Sequence, residues 1–137
     1  MKIVLDTNIL SASVSRKSDY YGIFRKFITR EYTLCVTTDI LQEYEEVIGR
    51  HMGKETADMV LQIIENAVNV ELVTKYYRWR LITIDPDDNK FVDCAVSCNA
   101  KYIVSQDKHF NVLKNIPFPQ IDVIDIDEFK RILNIGK

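Results

Sequence analysis

The sequence is poor in the residues that punctuate and staple small folds: its 137 positions hold four glycines, three prolines and three cysteines. Neither G-x-x-x-x-G-K-[ST] nor G-x-G-x-x-G occurs, which argues against a nucleotide-binding domain or small phosphatase of the α/β class. The cysteines, Cys35, Cys94 and Cys98, are odd in number and lack C-x-x-C spacing. That speaks against a disulfide framework or a zinc site. Cys94 and Cys98 stand one helical turn apart and read as small apolar core residues. Histidine is rarer still: His51 and His109 have no second ligand at metal-binding spacing and read as ordinary polar residues. There is no basic excess either. Eighteen Lys and Arg face twenty Asp and Glu, for a net charge of −2, so the footprint of a basic nucleic-acid binder is missing. A site built from several carboxylates would itself lower that balance. No apolar run reaches the ~18 residues of a membrane span, and the first residues do not resemble a signal peptide. The expectation is a cytoplasmic protein without membrane association.

What is present is enough for a core. Hydrophobic residues make up 47% of the chain, and a chain of this length reads as one domain, residues 1–137. It is organised around its first eight residues. Lys2 to Leu5 form a short run without alternation, as in a central parallel strand buried on both faces. The run ends at Asp6, where ligand crevices of open α/β sheets lie. Asp6 alone also reads as a cap of the next helix.

Downstream, Ile9 to Ser15 is a helical turn or a loop, and Tyr20 to Arg30 has helical periodicity. Strands are expected at Tyr32–Val36, Asn69–Thr74 (an edge candidate), Lys101–Ser105 and Ile121–Ile126. A helix should begin after the cap signal Thr37-Thr38-Asp39 and break over Gly49–Gly53, with another from Lys54 to Ala67. The Asp85–Asp88 cluster announces a helix reaching Ala100. A short amphipathic turn follows around Phe110, and Asp127–Leu133 forms a closing helix. Strands alternating with helices predict an α/β fold, a mostly parallel central sheet flanked by helices in three layers.

Four carboxylates fall where this logic can gather them. Asp6 and Asp107 each follow an apolar strand, Asp88 opens a helix, and Glu43 lies in the first turns of the helix after the second strand. Two like charges about 4 Å apart repel by about 4 kcal/mol at an effective dielectric near 20. Such a set must take up protons or bind a cation. Mg²⁺ or Mn²⁺ suits it, because hard dications favour carboxylate and water oxygens. The set therefore reads as metal-assisted phosphodiester hydrolysis by an activated water, with no protein nucleophile.

These stretches resemble the PIN domain family: Ile-Val-Leu-Asp6-Thr-Asn8; Thr37-Thr-Asp-Ile-Leu-Gln-Glu43; Asp85-Pro-Asp-Asp88-Asn-Lys-Phe-Val-Asp-Cys-Ala95; and Tyr-Ile-Val-Ser105-Gln-Asp107-Lys-His-Phe. The likeness spans nearly the whole chain and is strongest to stand-alone VapC-like toxins of bacterial toxin–antitoxin pairs. It implies a Mg²⁺/Mn²⁺-dependent ribonuclease with a PIN-like three-layer fold. Asp6, Glu43, Asp88 and Asp107 would bind the metal, with Asn8 and Ser105 as supporting polar residues. Asp93 lies about 140° around the helix from Asp88. The run Asp-Pro-Asp-Asp favours Asp88 as the third acid, with Asp87 and Asp93 in reserve. Gln106 stands where many relatives have glycine, which would narrow the approach to Asp107. The resemblance further implies an RNA substrate, an antitoxin partner and a homodimer.

Lys75, Arg78 and Arg80, interleaved with Tyr76, Tyr77 and Trp79, are candidate RNA contacts. The other reading of that segment is a strand with its aromatics in the core. At the level of function, the alternative is a PIN-fold module that binds nucleic acid or protein without cleaving it.

Overall fold

A computed structural model describes residues 1–135. Five parallel strands form one sheet: β1 (Lys2–Leu5), β2 (Thr33–Val36), β3 (Val70–Leu72), β4 (Tyr102–Val104) and β5 (Val123–Ile124), in the order β3-β2-β1-β4-β5. Beyond their first residues the central strands are apolar because both faces are covered: Ile3, Val4, Leu34, Cys35, Val36, Ile103 and Val104 are all buried. The edge strands are shorter than the sequence suggests. Only Val70–Leu72 and Val123–Ile124 pair, where longer runs were expected.

Among the described residues six α-helices accompany the sheet: α1 (Thr7–Ser13), α2 (Tyr21–Ile28), α3 (Thr38–Met52), α4 (Lys54–Asn66), α5 (Asn89–Cys98) and α6 (Ile126–Ile132). The ambiguous stretch after Asn8 is thus helical. Thr37 caps α3 by accepting a hydrogen bond from the Ile40 amide at 3.2 Å. That helix runs through Gly49, where a break was expected, and stops at Gly53, whose φ of 92° ends one helix and precedes the next. A helical glycine costs only about 1 kcal/mol, and α3 has buried Ile40, Tyr44 and Ile48 to offset it. The α5 helix is entered through a 3₁₀ turn at Pro86–Asp88, and a second 3₁₀ segment covers Lys108–Asn115. Asp125 and Glu128 close α6 with a reciprocal capping box.

The strand order places the functional rim. The chain moves from β1 to β2 and β3 on one side, then crosses back to β4 and β5 on the other. The direction reverses between β1 and β4, which pair directly with Leu5 opposite Val104. In open α/β sheets, ligands bind outside the carboxyl ends of the strands at such a switch. Asp6 and Ser105 are the first residues beyond β1 and β4 there.

Candidate metal centre

Asp6 is 7% exposed, and although it stands at the N-cap of α1 its side chain makes no capping bond. The cap reading is therefore overturned. Its Oδ2 instead accepts a 2.7 Å hydrogen bond from Ser105 Oγ, which in turn accepts the Asp107 amide at 2.9 Å. One hydroxyl thus joins the residues that leave β1 and β4. Burial is the main force raising the Asp6 pKa. The Ser105 bond opposes it, while repulsion from Asp107 and Glu43 adds to it.

Asp88 ends the 3₁₀ turn before α5 and is also buried. Its pKa is pushed up to about 6, first by burial and then by repulsion from Asp107, Asp85 and Asp6, against a hydrogen bond from His109. Glu43 reaches the same rim from α3. Its Oε2 accepts from Thr7 Oγ1, and its Oε1 pairs with Lys90 Nζ at 2.7 Å. Lys90 is shared with Asp87 Oδ2, also at 2.7 Å. The structure thus brings Asp6, Glu43, Asp88 and Asp107 to one rim, and Asp87 is spent on Lys90.

Other candidates lie elsewhere. Asn8 is exposed on α1, while its neighbour Thr7 is buried and holds Glu43. Gln106 turns away from the rim: its Oε1 accepts the Ile126 amide at 2.9 Å at the start of α6, so it does not narrow the approach to Asp107. Asp93 is buried, and its Oδ1 accepts the Trp79 amide at 3.0 Å.

That bond belongs to a series. Asn89, Asp93 and Ser97 are four residues apart and share one face of α5. Asn89 accepts the Ile82 amide at 2.9 Å and donates to the Ile82 carbonyl at 2.8 Å. Ser97 donates to the Lys75 carbonyl at 3.0 Å. The segment 75–82 is no strand. It is an irregular arm tethered through its backbone at Lys75, Trp79 and Ile82 by side chains of α5 instead of by a sheet neighbour. Of its aromatics only Tyr76 packs, partly buried, against the core; Tyr77 is 69% exposed and meets Trp79 edge-on, which meets Phe118 likewise. On the arm's other side, Tyr76, Arg78 and Arg80 line a cleft of about 850 Å³ with Glu43, Glu46 and Lys90.

His109 is the residue that sequence reasoning missed at the rim. The Asp107 side chain accepts its amide at 2.9 Å, forming a tight turn. That turn aims Nδ1 at the acids, 3.2 Å from Asp88 Oδ2 and 3.2 Å from Asp107 Oδ1. The available signal was the adjacency Asp107-Lys-His109, since an Asp side chain readily bonds its own backbone two residues on.

The donor set fits a divalent cation. Buried, mutually repelling carboxylates are what a hard dication relieves, and the described residues offer Asp85, Asp88 and His109 as one compact ligand group. If Ser105 orients Asp6 and Asp107, Ser105→Ala should weaken Mn²⁺ binding about 10–100-fold. Calorimetric titration reads this directly, and unchanged affinity would remove the residue from the site.

A parallel sheet with clustered acids at its switch point defines an α/β protein with an acidic rim. A sequence model of the PIN domain matches residues 2–109, and the chain belongs to the PIN domain family. Three solved structures share the fold. VapBC2 from Rickettsia felis, bound to a DNA fragment from its promoter, aligns with a TM-score of 0.62 at 18% identity, over 91% of this chain and 98% of that one. VapC20 from Mycobacterium tuberculosis, a Sarcin-Ricin loop cleaving toxin, gives 0.59 at 14% identity, over 80% and 92%. The PIN domain of human SMG5 gives 0.56 at 10%, over 96% and 99%. At these identities the likeness is one of fold. No curated protein matches the chain by sequence. Among the described residues, no helix is long and apolar enough to cross a membrane.

Proposed function

We propose that this PIN domain is a Mg²⁺- or Mn²⁺-dependent endoribonuclease and the toxin of a toxin–antitoxin pair. The observation that carries the reading is the joining of Asp6 and Asp107 through Ser105 at the sheet's switch point, with Asp88 alongside. Two of the similar folds belong to VapBC2 and to VapC20, a Sarcin-Ricin loop cleaving toxin, which supports the class of reaction and an antitoxin partner.

In this reading Asp6, Asp88 and Asp107 hold the cation and Glu43 completes the rim. A bound dication supplies charge neutralisation of the phosphoryl group and activation of water. The chain's own residues do the rest. Ser105 fixes the Asp6 carboxylate, Thr7 and Lys90 fix that of Glu43, and the buried acids keep the crevice negative until a cation enters. Arg78 and Arg80 on the cleft-facing side of the arm, with Lys75 at its base, contact RNA phosphates, and Tyr76 offers a base a stacking surface. Asp88 is preferred to Asp93 as the third acid because the Asp93 carboxylate is engaged with the arm. A homodimer is part of the same proposal, as is a cytoplasmic location.

The test is cleavage of RNA by the wild type beside Asp6→Asn, in Mn²⁺, in Mg²⁺ and in EDTA. The variant should lose at least about a hundredfold, the upper end for residues that merely support a ligand, and chelation should silence the wild type. Equal cleavage by both proteins would assign the activity to a contaminant and leave a binding module.

A further inference from the structure

We infer that His109 selects the cation: with Asp85 and Asp88, its imidazole forms a mixed nitrogen–oxygen seat that favours Mn²⁺ over Mg²⁺. This rests on the reading above, that the rim holds a divalent ion. Asp85, Asp88 and His109 each present one donor atom, all within 4.8 Å of one another. The Nδ1 of His109 lies 3.2 Å from Asp88 Oδ2 and 4.0 Å from Asp85 Oδ2.

Each member is oriented by contacts of its own. Asp85 uses its other oxygen, Oδ1, to accept the Asp87 amide at 3.2 Å, which leaves Oδ2 facing the imidazole. His109 is held by its amide on Asp107 and by the 3₁₀ segment it belongs to, which is anchored in the core through Phe110 and Leu113. Nothing in the arrangement depends on Asp6 or Glu43. Asp107 Oδ1, 3.2 Å from the imidazole Nδ1, joins this nitrogen-bearing part of the rim to the all-oxygen side formed by Asp6 and Glu43.

The difference has a chemical consequence. Mg²⁺ demands a near-ideal octahedron of hard oxygens and gives up its waters reluctantly. Imidazole suits Zn, Cu, Fe and Ni best; Mn²⁺ stands lowest in that first-row order and also favours oxygen, yet as a transition ion it gains from a nitrogen donor where Mg²⁺ does not. A seat of two carboxylates and one imidazole therefore discriminates between ions that an all-carboxylate rim treats more alike. The ring is not sealed in, since about a third of the side chain is exposed, so an ion can reach Nδ1 in place of its contact with Asp88 Oδ2.

The experiment is calorimetric titration of the full chain with Mn²⁺ and, separately, Mg²⁺, for wild type, His109→Asn and Asp85→Asn. Electron spin-echo spectroscopy of the Mn²⁺-bound forms accompanies it. His109→Asn should weaken Mn²⁺ about tenfold or more and Mg²⁺ far less, collapsing the preference. The wild type and Asp85→Asn should show ¹⁴N modulation of the Mn²⁺ signal, and His109→Asn should not. Asp85→Asn removes a hard donor, so it should weaken both ions alike. Equal weakening of the two ions by His109→Asn, or wild-type Mn²⁺ without nitrogen coupling, overturns the role of His109 and leaves the nuclease reading standing. A wild type that binds neither ion overturns both.

Discussion

Asp88→Asn is expected to yield a protein that is more stable than the wild type without metal, less stable with it, and without nuclease activity. Asn keeps the size of the side chain and can still accept from His109, so packing is preserved and only charge is lost. The sign follows from the shift. The carboxyl has its pKa raised to about 6 in the fold, so the folded chain holds the proton more tightly than the unfolded one. Between the unfolded value near 3.9 and about 6, wild-type stability therefore falls as pH rises, and above that the full penalty stays. Two pKa units correspond to at most about 3 kcal/mol, and solvent screening at an open rim reduces this to about 1 kcal/mol. For a chain of this size that is roughly 4 °C in melting temperature. The variant should gain this at pH 7.5 and gain nothing below pH 4.

Added Mn²⁺ should reverse the order. A ligand at a hundred times its dissociation constant stabilises the wild type by about 2.7 kcal/mol, and the variant, lacking a ligand, should gain much less. Scanning calorimetry at two pH values, with and without metal, reads the crossover. A variant that melts with the wild type in all four conditions would mean that Asp88 carries no strained charge and meets no cation.

The crossover depends on acids that were legible in the sequence because each sits at a boundary. Asp6 ends an apolar run and Asp107 follows another, and strand ends in a parallel sheet share a rim. The sheet's core strands were legible for the same reason: Ile3-Val4-Leu5 and Ile103-Val104 have no polar alternate. What was hidden was held by side chains bonding to distant backbone. Segment 75–82 has the composition of a strand, but Asn89, Asp93 and Ser97 take its backbone at Ile82, Trp79 and Lys75, a stripe that reads in isolation as ordinary helix polarity. Gln106 has no helix or strand pattern to say that it would bond the Ile126 amide. His109 looked solitary because two of its partners, Asp85 and Asp88, lie more than twenty residues away in sequence and the third, Asp107, reads as the end of a strand. Gly49 looked like a stop because propensity speaks before packing, and the packing of α3 outweighs it.

The two unsettled points of the sequence, the third acid and the structure of the arm, meet in Asp93, and one pair of substitutions separates them. Asp93→Ala deletes the acceptor of the Trp79 amide and frees the middle of the arm between its anchors at Ser97 and Asn89. Losing a hydrogen bond to a buried carboxylate costs roughly 1.5–3 kcal/mol. If the arm opens locally, its open population rises about tenfold to a hundredfold, and limited proteolysis between Lys75 and Arg80 should accelerate by the same factor. Asp93→Asn retains an oxygen that can accept the Trp79 amide and should cleave nearly as slowly as the wild type. Mn²⁺ affinity should be unchanged in both variants, because the carboxylate faces the arm. A metal ligand at this position would give the opposite pattern: Mn²⁺ binding lost in Asn and Ala alike, with protease resistance retained. That outcome would move the third acid one turn along α5 and leave the arm held by Asn89 and Ser97 alone.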